Sequence, residues 1–281
     1  MFCSTFFNNR EKYGPLCVGF DPSHQVLKSW NLSCDAKGLK EFCDILLSAA
    51  VGNVGVIKPQ AAFFELYGVE GLQILKNLIE NAQKQGLLVI VDAKRGDIGS
   101  TAEAYGKAWL GSCSAFKADA ITVNAFLGFD ALLPLIKIAE KTGTGVFIVV
   151  QSSNPEGKPI QNARIGDQTL SVYLAQRIYD YHRQSLEQHN PVGPIGAVIG
   201  ATLGNEAKET IEMLKSCLFL VPGIGAQGGE ITQLSHQFPQ RHWQNIIPSV
   251  SRAITDVGSN IADLKMCIHN FATQAKTTLH S

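Results

Sequence analysis

Eight short apolar runs recur along the chain, each closed by polar, glycine or proline residues. They are Leu16–Phe20, Val54–Ile57, Leu87–Val91, Ala120–Val123, Val146–Val150, Ile195–Ile199, Cys217–Val221 and Ile246–Val250. Short runs bounded by turn residues read as strands buried on both faces. Between them apolar positions recur at helical spacing over Gly38–Ala50, Val69–Gln85, Ala102–Lys117, Leu132–Thr142, Asp167–Gln188, Asn205–Lys215 and Glu230–Phe238, with Asp256–Thr277 the last. Strand alternating with helix predicts a parallel sheet. Eight such units in 281 residues match a (β/α)8 barrel of the TIM type, with outer helices, as one domain over 1–281. Periodicity carries no signal for closure, so an open doubly wound sheet is the alternative.

In both architectures ligands bind at the C-terminal ends of the strands, so the residues that close the runs are the candidates for chemistry. The third run ends in Asp92-Ala93-Lys94-Arg95-Gly96-Asp97. Residues two apart on a strand share a face, which sets Asp92 beside Lys94. Asp21 closes the first run and Lys58 the second. The alternating charges hold one another ionised. A lysine kept protonated is a poor imine nucleophile but a good proton donor to a carbanion. A substrate carboxylate beside Asp92 would gain by leaving as neutral CO2, with Lys94 stabilising the charge left behind.

A second group closes later runs: Asn124, Ser152 and Ser153, the glycine-rich stretch Gly223–Gly229 with Gly225, Ala226, Gln227 and Gly228, and Ser251-Arg252. In barrels the loops after strands seven and eight commonly hold phosphate. A glycine loop exposes backbone N–H groups, and the arginine fork suits a phosphate dianion. The same loop formally matches G-x-G-x-x-G, but in the seventh unit rather than the first, without the acidic residue a dinucleotide site carries. The polar stretch Ser152–Gln168 after the fifth strand is placed to act as a lid.

Composition narrows the field. Lys+Arg and Asp+Glu balance at 24 each, which argues against general nucleic-acid binding. No apolar run reaches the roughly 18 to 20 residues of a membrane span. The start, MFCSTFFNNREKYG, lacks the pattern of a secretory signal. The 7 cysteines are scattered without metal spacing, as expected of reduced thiols in the cytoplasm. His24, His182, His189, His236, His242, His269 and His280 form no ligand pattern.

The string VDAKRGDIGSTAEAYG, with TVNAFLGFD and VPGIGAQGG, resembles the DxKxxDI signature of the orotidine 5'-phosphate decarboxylases, in particular their longer-chain bacterial (type 2) subgroup. The resemblance runs from about Phe20 to Ile254. A sister decarboxylase of sugar-acid phosphates shares the signature but carries a magnesium-binding glutamate on the second strand, where this chain has Lys58. The resemblance implies a cofactor- and metal-independent decarboxylation of orotidine 5'-monophosphate to uridine 5'-monophosphate, in a homodimer with shared active sites. Asp21 and Lys58 would meet the ribose hydroxyls, Asp92 would face the substrate carboxylate, and Lys94 would protonate C6. Asp97, Ile98 and Thr101 would enter the partner's site. Ser152 or Ser153 would read the pyrimidine edge, and Gln227 and Arg252 would hold the phosphate. A Schiff-base aldolase on Lys58 or Lys94, an NADP-binding oxidoreductase and a non-catalytic nucleotide binder are the competing readings.

Overall fold

The computed structural model describes residues 1–185 and 192–280. Eight parallel strands form its centre: β1 (Cys17–Phe20), β2 (Val56–Pro59), β3 (Leu88–Arg95), β4 (Ala120–Val123), β5 (Gly145–Gln151), β6 (Ile195–Ile199), β7 (Phe219–Ile224) and β8 (Ile246–Val250). Each pairs with its neighbour in sequence, and β1 pairs with β8 through Cys17 opposite Ser249 and Val18 opposite Val250. The ring is therefore closed, which decides for the (β/α)8 barrel over the open sheet.

Strand alternation sorts the core into two. Cys17, Val56, Leu88, Ile90, Ala120, Phe147, Val198, Leu220 and Ile247 fill the barrel interior. The residues between them in sequence, such as Val18, Ile57, Val89, Val91 and Ile121, pack outward with the helices. The same alternation continues upward, so that Lys58, Asp92 and Thr122 follow Val56, Ile90 and Ala120 on the inward face. The floor of the barrel is closed from below by a helix the apolar pattern did not announce, Phe2–Tyr13. Its Phe2 and Phe6 join the interior cluster, Phe2 meeting Phe147 edge-on with ring centroids 5.8 Å apart.

Several helices differ from their sequence limits. The one expected over Ala102–Lys117 runs from Gly99 to Trp109. It stops before Gly111 and Lys117, whose φ values of 86° and 57° no helix accepts. Asn205–Lys215 and Glu230–Phe238 are each a 3-10 turn followed by a short helix, Lys208–Met213 and Leu234–Gln237. The last divides into Arg252–Thr255 and Ile261–Thr278. The helix expected to reach Gln188 is described from Leu170 to Ser185; its remaining residues and His189 lie outside the described residues. Among the described residues no helix is long and apolar enough to cross a membrane.

Candidate active site

The strand tips surround a cavity of about 300 Å³. One wall is charged. Asp92 is 9% exposed and Lys58 5%, and they meet through Lys58 Nζ to Asp92 Oδ2 at 2.9 Å. Lys94 Nζ reaches Asp92 Oδ1 at 2.6 Å, and the Thr122 hydroxyl donates to that same oxygen at 2.7 Å. Burial alone would raise the Asp92 carboxyl, but the two ammonium groups and their hydrogen bonds outweigh it and hold Asp92 well below the usual carboxylate range. Burial alone would lower Lys58, yet Asp92 and Asp21 prevail and raise it above an ordinary lysine. The mutual ionisation expected from the sequence is thus present at these two residues.

The tip of β3 is built to hold this wall. Pairing with β4 shifts register between Val91 and Arg95, and Lys94 takes a left-handed φ of 44°, a conformation costing a residue with a Cβ on the order of 1 kcal/mol. Arg95 anchors the turn: it donates to the Ala93 carbonyl at 2.9 Å, pairs with Glu65 and lies over the rings of Tyr105 and Trp109. On β2, Pro59 has no N–H to give, and the chain resumes hydrogen bonding to β1 through Gln60 N to Phe20 O at 3.1 Å. The proline therefore sits as the last residue of β2, and the pairing continues past it without disturbing the inward Lys58 side chain.

The opposite wall comes from β5 to β8. The loop after β7 turns on Gly225, whose φ of 79° and 2.5 Å approach of a would-be Cβ to the Ala253 Cβ admit only glycine. Its internal hydrogen bonds use the N–H groups of Gly225, Gly228 and Gly229, leaving those of Ala226 and Gln227 outside them. No regular helix starts directly at this loop, so the backbone donors it offers are loop amides rather than a helix N-terminus. Arg252 lines the cavity beside Ala226 and Gln227 and makes no ion pair among the described residues. In β8 the register shifts between Pro248 and Val250, and Ser251 and Arg252 follow at the strand tip, as anticipated. Two buried polar atoms here lack partners among the described residues, Asp21 Oδ1 and Ser251 Oγ. Both atoms are open to a polar group entering the cavity.

Of the residues proposed from sequence, Asp21, Lys58, Asp92, Lys94, Ser152, Ser153, Ala226, Gln227, Ser251 and Arg252 line one cavity. Gly225 and Gly228 shape its loop without lining it. Asn124 is not among the lining residues; its Oδ1 accepts the Phe126 N–H at 2.9 Å and folds the turn after β4. Asp97, Ile98 and Thr101 also lie outside the cavity of their own chain, Asp97 accepting the Ile98 N–H at 2.8 Å. The sequence reading missed Thr122, Gln60 and Asn154, which line the cavity. The signal for Thr122 was present: a hydroxyl two residues after Ala120, on the inward face of an otherwise apolar strand.

The stretch Ser152–Gln168 is folded, not loose. It holds a short helix, Lys158–Gln161, and a two-residue-per-strand hairpin pairing Arg164–Ile165 with Gln168–Thr169. Gln161 clasps Ser152, its Oε1 accepting the Ser152 N–H at 3.0 Å and its Nε2 donating to Ser152 Oγ at 2.7 Å. Lys158 reaches Glu206 on the loop after β6 at 3.1 Å.

A closed β/α barrel that sets a Lys–Asp–Lys array against a glycine loop and an arginine defines a barrel enzyme acting on small phosphorylated molecules. Comparison with known proteins makes this specific. The sequence profile described as Orotidine 5'-phosphate decarboxylase / HUMPS family matches residues 14–267. The orotidine 5'-phosphate decarboxylase of Myxococcus xanthus is 40% identical over 276 residues, covering 98% of this chain and 95% of its own. That of Streptomyces coelicolor is 36% identical over 274 residues, covering 96% and 95%. A crystal structure from Streptomyces avermitilis, described as the same activity, superposes with a TM-score of 0.93 at 35% identity over 100% of this chain and 96% of that one. The chain belongs to the orotidine 5'-phosphate decarboxylase family. It is a carboxy-lyase, and its place is the last step of UMP biosynthesis.

Proposed function

We propose that the cavity decarboxylates orotidine 5'-monophosphate through the Lys58–Asp92–Lys94 array. The observation that carries this is Asp92, a carboxylate kept ionised among two lysines at the mouth of a phosphate-binding barrel. The substrate carboxylate lies against Asp92. The bond from C6 to the carboxyl carbon breaks with its electron pair left on C6, CO2 departs, and the Lys94 ammonium first stabilises and then protonates C6. Lys94 regains its proton from water, which its half-exposed side chain can reach. A lysine at position 58, engaged with Asp92, favours this substrate over the sugar-acid phosphates of the sister enzymes.

The remaining contacts follow from groups left open. Asp21 Oδ1 accepts a ribose hydroxyl, and the Ala226 and Gln227 amides with Arg252 take the phosphate. Ser152 already donates to Asn154 Oδ1 at 2.6 Å and accepts from Gln161. Ser153 makes no side-chain hydrogen bond among the described residues, so Ser153 reads the pyrimidine edge while Ser152 holds the lid. Asp97, Ile98 and Thr101 serve the partner subunit of a homodimer. Exposed Ile98, Phe126 and Leu127, at the tips of the adjacent strands β3 and β4, support an apolar contact there.

The phosphate grip supplies binding energy that brings the reacting end under the lid. Arg252→Ala is therefore expected to cut kcat/KM for orotidine 5'-monophosphate by about 100-fold or more, in line with a charge-assisted bidentate contact. Turnover of orotidine, which lacks the phosphate, is expected to change little. Equal losses on both substrates would refute the phosphate assignment.

A further inference from the structure

The Thr122 hydroxyl joins the two residues on which the chemistry rests. It donates to Asp92 Oδ1 at 2.7 Å, beside the 2.6 Å bond from Lys94 Nζ to that atom, and it accepts the Lys94 backbone N–H at 3.0 Å. Thr122 is 1% exposed, and a buried acceptor or donor that loses its partner carries the full cost of its desolvation.

The second bond sits where β3 departs from its ladder with β4. A backbone N–H displaced from a ladder needs another acceptor, and Lys94 is also held at a φ of 44°. The Lys94 side chain is half exposed and touches Asp92 at its tip. Its aim is therefore set by its backbone at one end and by Asp92 at the other, and Thr122 fixes both.

We propose that Thr122 is a positioning residue for the decarboxylation, its hydroxyl tying the Lys94 backbone and the Asp92 carboxylate into one unit that aims the Lys94 ammonium at the reacting carbon. The inference rests on the roles given above to Asp92 and Lys94. Preorganisation of this kind acts on the chemical step more than on binding.

The test compares Thr122→Val, Thr122→Ala and Thr122→Ser with Lys94→Ala, each checked for folding by thermal melting and assayed for kcat and KM. Val and Ala are expected to lose kcat roughly 10- to 100-fold, the worth of a hydrogen bond to a charged group. KM should stay within about twofold, and Ser, which keeps the hydroxyl, should retain kcat within about threefold of wild type. Wild-type kcat in Thr122→Val, equal loss in Ala and Ser, or a loss confined to KM would overturn the proposal. Should the Val variant fail to fold, the Ala–Ser difference decides alone. Full turnover by Lys94→Ala would instead overturn the underlying mechanism, whatever the Thr122 variants do.

Discussion

Asp92 organises the mouth, and its electrostatics were legible in the sequence because opposite charges alternated at a strand tip. What was not legible is how tightly it is held. The Thr122 bridge depends on a register shift between β3 and β4, and the left-handed Lys94 on a local turn; neither leaves a mark in residue types. Acid sensitivity above about pH 4 comes from elsewhere. Asp92, depressed in the fold, contributes stability that is fully present above the ordinary 3.8 of an unfolded aspartate and is lost as pH falls below it. Lys58, raised in the fold, contributes fully below 10.5 and loses its contribution as pH rises through its folded value. Between those limits both are constant. His182 acts over a higher window: burial lowers it from 6.5 to about 4. The unfolded chain binds its proton first, so stability is lost as pH falls through that window, by on the order of 3 kcal/mol. Urea melts at pH 7 and pH 4.5 check this. Replacing His182 with leucine should shrink the difference between them, and an undiminished difference would count against the assignment.

At the scale of elements, the eight strands followed from apolar runs ended by polar residues, and most limits moved by no more than a few residues. Helix ends fared worse where positive-φ positions intervene, as at Gly111. The floor helix Phe2–Tyr13 went unannounced because its apolar stripe is narrow: Phe2 and Phe6 are buried among polar neighbours. Those two rings nevertheless plug the barrel. Phe6→Ala should therefore cost about 3–5 kcal/mol of unfolding free energy, as for a buried aromatic ring truncated in a core. The folded variant should keep its kcat, because the floor and the mouth lie at opposite ends of the strands. A cost below about 1 kcal/mol in denaturant titration would mean that the helix merely rests on the barrel.

For the whole molecule, closure was the step that periodicity left open, since it depends on β1 meeting β8 across the full chain length. Gathering ten of the proposed site residues around one cavity is a consequence of that closure. Of those that fell outside it, Asp97, Ile98 and Thr101 acquire a role in the site only if two chains share their sites. Lys94→Ala and Asp97→Ala, each inactive alone, should then recover about one quarter of wild-type activity when refolded together, because half the dimers are mixed and each mixed dimer rebuilds one intact site. No recovery, with mixed dimers demonstrated, would place each site within one chain.

The central claim is that this barrel removes CO2 from orotidine 5'-monophosphate using Lys94 as the proton donor. It is tested most directly by following loss of the orotate chromophore when purified protein meets that substrate, with a chelator present and no cofactor added. Wild-type protein should bleach the absorbance and form uridine 5'-monophosphate, while folded Lys94→Ala should leave it nearly unchanged. Absence of decay with the wild-type protein, or equal decay with the variant, would contradict the account.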